Sequence, residues 1–193
     1  ARGYGEELGK VFTFETSLFG IAPSSSFLVM ETEDGAPNGY AAPGVLFFSP
    51  KGIGKQVNVR LVSNQVARQW WGNFVGVVSR NHSWIVNGLT RFTEMLYLEQ
   101  LNGPGAMETE TRDVYIEALT VEQPPLIQSA RLEDYSPEYW AATGAKGAAI
   151  FNMLRDVSST ALLPLLTNTL VLVGMVILML WMNWLLTLEI GRA

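Results

Sequence analysis

Apolar positions recur along this chain with helical spacing in some stretches and as short β-like runs in others, and these patterns divide it into elements. Residues 4–19 (YGEELGKVFTFETSLF) predict a first helix, ended by Gly20 and Pro23. Phe27–Thr32 and Val45–Phe48 predict two strands, joined by a loop carrying Gly35, Pro37, Gly39, Pro43 and Gly44. Val59, Val62, Val66 and Trp70 fall on one helical face, so a helix is expected from about Lys55 to Trp71, with Gly72 as its stop. Ile85, Leu89, Phe92 and Leu96 do the same for Ser83–Leu101, which Gly103-Pro104-Gly105 closes. A third helix is expected over Met107–Leu119. Ser136-Pro137-Glu138 opens a fourth, with the serine as cap and the proline in the first turn. There is no internal repeat. The pattern is α+β and mostly α.

The pattern then changes character. Between Asp156 and Glu189 lie 32 residues without an ionisable side chain, and Leu170–Leu186 is apolar apart from Gly174 and Asn183. A membrane-spanning helix needs about 20 such residues to cross roughly 30 Å of hydrocarbon, so the length leaves room for tilt. Pro164 suits the first turn of such a helix, with Ser159 or Thr160 as its cap. Trp181 and Trp184 fall near the far end, where indole rings favour the headgroup boundary. Asn183 could bond a neighbouring helix or lie at that same boundary. The competing expectation is a buried core helix. The single span implies residues 1–156 as a folded domain, 157–160 as a short connector, 161–188 as the transmembrane helix and 189–193 as a tail. Lys146 and Arg155 against Arg192 slightly favour a cytoplasmic domain, whereas a chain starting at Ala1, as after signal-peptide removal, favours a periplasmic or extracytoplasmic one. The second is the expectation adopted.

Composition narrows the chemistry. At 193 residues there is room for one ordinary domain and one extra element, and 48% hydrophobic residues suffice for a core. A net charge of −5 without a basic stripe argues against nucleic acid as a partner. The absence of cysteine removes disulfides, thiolate metal sites and iron–sulfur clusters. One histidine, His82, leaves no multi-histidine metal site or haem pair within the chain, and is itself expected as a surface or capping side chain.

The segment Val62-Ser-Asn-Gln-Val-Ala-Arg-Gln-Trp-Trp-Gly-Asn73 reads as the pattern His-Glu-x-x-His followed by Gln-Trp-Trp-Gly-Asn, with the reactive positions exchanged. Ser17-Leu-Phe-Gly20 and the following strand, Arg80-Asn-His-Ser-Trp84 with Gly88 and Phe92–Glu99, and Lys146-Gly-Ala148 with Asn152–Asp156 supply further matches in order. On these residues the chain, from about Lys10 to Asp156, resembles the catalytic domain of the M1 zinc aminopeptidases (the gluzincins), a thermolysin-like fold. The resemblance places the first histidine ligand on Asn64, the second on Arg68 and the third ligand, a glutamate, on Asn87. It places the general-base glutamate on Gln65 and the oxyanion-stabilising tyrosine on Gly144. The glutamate that holds a substrate's amino terminus falls at best on Asn38, within Gly35-Ala-Pro-Asn-Gly39.

The chemistry of those exchanges is plain. Zinc takes neutral imidazole, thiolate or carboxylate donors; amides at 64 and 87 are weak donors, and Arg68 sets a permanent charge where the metal would sit. Gln65 cannot take a proton from water. Arg68 could bond Asn87, Gln65 or Glu94 and fill the old cavity, or the four could line a solvated cleft. No catalytic group, metal or cofactor is therefore expected. The family's flanking domains have no counterpart here, which implies a cleft short of walls and no small-molecule substrate.

The leading expectation is a catalytically inactive, peptidase-like, single-span protein serving as an accessory or structural subunit of a larger membrane complex, respiratory or photosynthetic assemblies being one guess. Its partners would be other subunits and the lipid bilayer, with Tyr135, Tyr139, Trp140 and the Pro124-Pro125 loop as contact candidates. The alternatives are a membrane-anchored peptide- or protein-binding module and, last, an active metallo-aminopeptidase with a rearranged site.

Overall fold

Helix α1, Arg2–Phe19, stacks Tyr4, Leu8, Val11 and Glu15 along one buried face, three or four residues apart. It ends at Gly20, whose φ of +83° suits a residue without Cβ and whose amide bonds Thr16 O at 2.9 Å. The computed structural model describes residues 2–20, 24, 26–36 and 38–190; of Arg2 and residues 183–190 it describes the backbone alone. Pro23, expected to help end α1, and Pro37 lie outside the described residues.

Strands β1, Leu28–Glu31, β2, Gly39–Ala42, and β3, Val45–Phe48, form one sheet in the order β1-β3-β2. β1 runs parallel to β3, pairing Leu28 with Val45, and β2 runs antiparallel to it, pairing Ala42 with Val45. The sequence pattern alone assigns β2 to a loop. Its four residues are Gly-Tyr-Ala-Ala, weak in strand preference and framed by turn residues. Yet Pro43 and Gly44, the latter at φ +70°, make the two-residue turn that folds β2 onto β3. Leu46 and Phe48 point inward and are fully buried. They pack with Tyr4, Leu8, Val11, Ala41, Val62, Val66, Trp70 and Tyr97 into the first core.

Helix α2 spans Val59–Ala67 and is shorter than expected at both ends. Asn58 caps it, its side chain accepting from Leu61 N at 3.1 Å, which leaves Lys55–Val57 outside. After Ala67 the amides of Gln69 and Trp70 turn back three residues, and Gly72 at φ +122° ends the run. Helix α3, Ser83–Asn102, and helix α4, Pro104–Leu119, meet at Gly103. Pro104 opens α4 rather than closing α3, because the first turn of a helix needs no amide from it. Met95, Met107, Val114, Ala118, Ala145, Ala148 and Ala149 form a second core between these helices and the next.

From Pro137 to Ile190 the described chain has no loop. Helix α5, Pro137–Trp140, is capped by Ser136 and continues through a wide π-helical turn, Ala141–Lys146, into α6, Gly147–Val157. A second π turn, Ser158–Leu162, leads into α7, Leu163–Ile190. Residues 157–160 are thus helical, not a connector. Ser159 and Thr160 cap nothing; both hydroxyls donate back to Asp156 O. Pro164 has no amide for the carbonyl of Thr160 and its ring crowds that carbonyl, so the wide turn just before it absorbs the misfit.

The chain divides into two compact units, Ala1–Asn152 and Met153–Ala193. The first holds both cores. In the second, α7 is 28 residues, about 42 Å at helical rise, and is long and apolar enough to cross a membrane. Its described side chains lie uncovered, Trp181 among them, rather than inside a soluble core. Thr167 and Thr169 return their hydroxyls to Leu163 O and Leu165 O, so these two side chains spend their donors within the helix. The side chains of Asn183 and Trp184 lie outside the described residues, as does Arg192.

Candidate functional site

Three segments of the first unit carry positions 64, 65, 68, 87 and 144, singled out by the resemblance. Asn64 and Gln65 lie on α2, with Arg68 as its C-terminal cap residue, Asn87 lies in the first half of α3, and Gly144 lies in the π turn 141–146. Asn64 and Arg68 stand one turn apart on the same face, and α3 crosses beside them.

The structure joins Arg68 to Asn87. Arg68 Nη1 donates to Asn87 Oδ1 at 3.2 Å, and Asn87 Nδ2 donates to Thr143 Oγ1 at 3.1 Å and Tyr139 Oη at 3.4 Å. Thr143 in turn donates to Tyr139 O at 2.8 Å. Above the guanidinium lies Trp140, its ring centre 5.7 Å from Arg68 Cζ, within cation–π range. Burial lowers the pKa of Arg68, and the nearby phenols of Tyr139 and Tyr135 oppose this in part. The carbonyl ends of α2 also favour a cation at its last turn.

Glu94 and Gln65 are not partners of Arg68. Gln65 Nε2 donates to Asn64 Oδ1 at 3.2 Å, and Asn64 Nδ2 donates to Glu94 Oε2 at 3.2 Å. Glu94, almost wholly buried, also accepts from Arg60 and Arg91 at Oε1. Arg60 further grips both oxygens of Glu110 on α4. That grip, the largest influence on it, raises the pKa of Arg60. The polar cluster ties α2, α3 and α4 together around buried carboxylates.

Gly144 is buried, yet a Cβ on it would meet nothing within 4 Å, so a small space lies open where the resemblance implies a phenol. Asn38 is exposed and belongs to another set: its Oδ1 accepts from Ser49 Oγ at 3.3 Å and its carbonyl from Ser49 N. Only its neighbour Gly39 touches the site, where a Cβ would lie 2.9 Å from the side chain of Gln65. His82 is exposed and shares a hydrogen bond with Ser79 at 2.8 Å.

This donor set does not fit zinc. Both amide oxygens that could face an ion, Asn64 Oδ1 and Asn87 Oδ1, already accept hydrogen bonds, and Arg68 brings positive charge between them. Among the described residues no three His, Cys, Asp or Glu side chains converge. Tyr139 and Trp140, expected from the sequence as outward contacts, are both half-buried and flank Arg68. Tyr135 is exposed. Thr143 belongs to the site without having been expected there; its one signal in the sequence is a hydroxyl beside Gly144 in an otherwise alanine-rich stretch.

No family model matches the chain. Among curated proteins it is similar to an aminopeptidase N of Haemonchus contortus, with 25% identity over 116 residues. That stretch covers 56% of this sequence and 12% of the relative, so the protein spans a small part of the curated relative it matches. The likeness is distant and partial.

Proposed function

We propose that this chain is a single-span membrane protein whose first unit is a peptidase-like body without peptidase chemistry, acting as an accessory or structural subunit of a larger membrane complex. The observation that carries the reading is the Arg68–Asn87 hydrogen bond of 3.2 Å. It joins two positions at which a gluzincin would hold zinc, and it fills the place with a cation. Gln65, at the general-base position, donates to Asn64 and is not basic enough to take a proton from water. The distant likeness to an aminopeptidase supports a thermolysin-like descent for the first unit. The packing around the helix end persists: Trp70 is buried among aromatics, and Trp71 Nε1 donates to Thr93 Oγ1. A preserved body with exchanged chemistry is what selection for contact rather than turnover leaves.

The uncovered apolar length of α7 supports membrane anchoring. Native mass spectrometry of the complex extracted in mild detergent tests the subunit role. Stable partners are expected, and they are lost when Leu170–Leu186 is scrambled at constant hydrophobicity. A protein that purifies alone, holds stoichiometric zinc and cleaves aminoacyl substrates would sink the proposal.

A further inference from the structure

Among the described residues Arg60, Arg80 and Arg91 each reach a carboxylate: Glu94 and Glu110, Asp134, and Glu94 respectively. Arg68 reaches none. Its one hydrogen bond ends on an uncharged amide oxygen, and an indole face covers part of it. A guanidinium carries five N–H donors in a planar fork, so most of them have no acceptor among the described residues. A partly buried cation without a counter-charge is unfavourable, and an apolar side chain of similar length would avoid that cost. A second donor stands beside it. Tyr139 Oη accepts from Asn87, while its own O–H has no acceptor among the described residues.

We infer that Arg68, backed by the Tyr139 hydroxyl, anchors a binding site for a carboxylate presented by a polypeptide, either its free C-terminus or an Asp or Glu side group. The fork of Arg68 matches the two oxygens of a carboxylate. Asn87, held by Thr143 and Tyr139, fixes the fork's orientation. Trp140, packed by Tyr135 and Tyr139, holds the guanidinium from one side. A phosphate dianion would call for a second cation; the groups around Arg68 are Asn87, Trp140, Tyr139 and Tyr135, which suit a single negative charge. The site needs neither zinc nor a catalytic step.

Isothermal titration of the full-length protein in detergent micelles tests this with two pairs of peptides. One pair is acetyl-tetra-alanine as free acid and as amide; the other is acetyl-Ala-Glu-Ala-amide and its Gln twin. Binding of at least one acid and of neither neutral twin is expected, and which acid binds tells a terminus from a side group. Arg68→Met is expected to weaken that binding about ten- to hundred-fold, the range of a charge-assisted hydrogen bond. The same exchange is expected to raise the melting temperature of the unliganded protein by about 2–4 °C, since it removes an uncompensated charge. Tyr139→Phe weakens binding a few-fold. Should Arg68→Met not fold, Arg68→Lys, which keeps the charge and loses the fork, is expected to weaken binding about ten-fold. Failure of both acids to bind at millimolar concentration, equal binding of the neutral twins, or unchanged affinity in the Arg68 variant would overturn the inference.

Discussion

Gly88 on α3 and Gly147 at the start of α6 meet backbone to backbone: a Cβ on Gly88 would lie 2.6 Å from Gly147 Cα. One on Gly147 would lie 2.5 Å from the carbonyl oxygen of Trp84. This approach sets the spacing between α3 and the helical run after Pro137. It is also what lets Asn87, the neighbour of Gly88, reach Thr143 at 3.1 Å. The architecture of the site therefore depends on two residues that carry no side chain.

Gly88→Ala should accordingly cost about 2–3 kcal/mol, the range for forcing extra volume into a packed interior. Gly144→Ala, three residues before Gly147, meets open space and is expected to be neutral or to stabilise by up to about 1 kcal/mol. Denaturant unfolding followed by circular dichroism in the same detergent reads both. Equal stability of the two variants would show that the close approach carries no weight.

That 64 and 68 share a helix face was legible from their spacing of four, and the structure sets 87, the position the resemblance singles out, against 68. Their partners were only partly legible. Arg60 lies four residues before Asn64, so its meeting with Glu94 follows from the helical period; that Arg68 would be left without any carboxylate does not. Strand β2 escaped because Gly39 and Pro43-Gly44 read as turns, and only the pairing with β3 makes a strand of Tyr40 and Ala41. The unbroken run from Pro137 escaped for a different reason. Pro164 reads locally as a helix start, and nothing local announces a wide turn that tolerates it.

Glu94 holds two guanidiniums and the Asn64 amide on two buried oxygens. Glu94→Gln should cost about 2–3 kcal/mol. That is less than the full cost of breaking a buried pair, because the Arg60 side chain is 46% exposed and that of Arg91 26%. Asp134→Asn breaks the Arg80 pair, whose members are both about half exposed, and should change stability by less than about 1 kcal/mol. Comparable losses in the two variants would contradict this assignment of Glu94 as the tie among α2, α3 and the two arginines.

Glu15 is fully buried on α1, with Ser63 Oγ donating to one oxygen at 3.2 Å and no partner on the other among the described residues. Burial pushes its pKa well above the ordinary 4.5, and the Ser63 bond offsets this only in part. The folded state thus holds the proton more tightly than the unfolded state does. Above pH 4.5 the unfolded protein sheds its proton first, so stability falls as pH rises, by up to about 1.4 kcal/mol per unit, until the folded carboxyl ionises too. Glu15→Gln, which keeps an acceptor for Ser63, should remove that slope. Urea unfolding at pH 5 and pH 8 measures it, and an equal fall in the variant would assign the slope elsewhere.

The cluster around Asn64, Arg68 and Asn87 has part of the frame that a metal site needs. An imidazole that ligates zinc commonly donates its other N–H to a carboxylate, which fixes the ring. Asn64 already donates to Glu94 at 3.2 Å, so that outer partner is in place for a ring at position 64. Positions 64 and 68 stand one helical turn apart, and the side chains of 68 and 87 already touch. The combined exchange Asn64→His, Arg68→His and Asn87→Glu should therefore create a site that takes up zinc at a ratio of about one per molecule, with two imidazoles and one carboxylate as ligands. The unaltered protein is expected to take up none under the same dialysis. Metal analysis reads the difference, and adding Glu94→Gln should weaken uptake about ten- to hundred-fold, the usual cost of losing an orienting partner. If the triple variant folds but stays empty, the segments around 64, 68 and 87 do not hold the geometry of a metal site, and the proposal of a peptidase-like body would lose this argument.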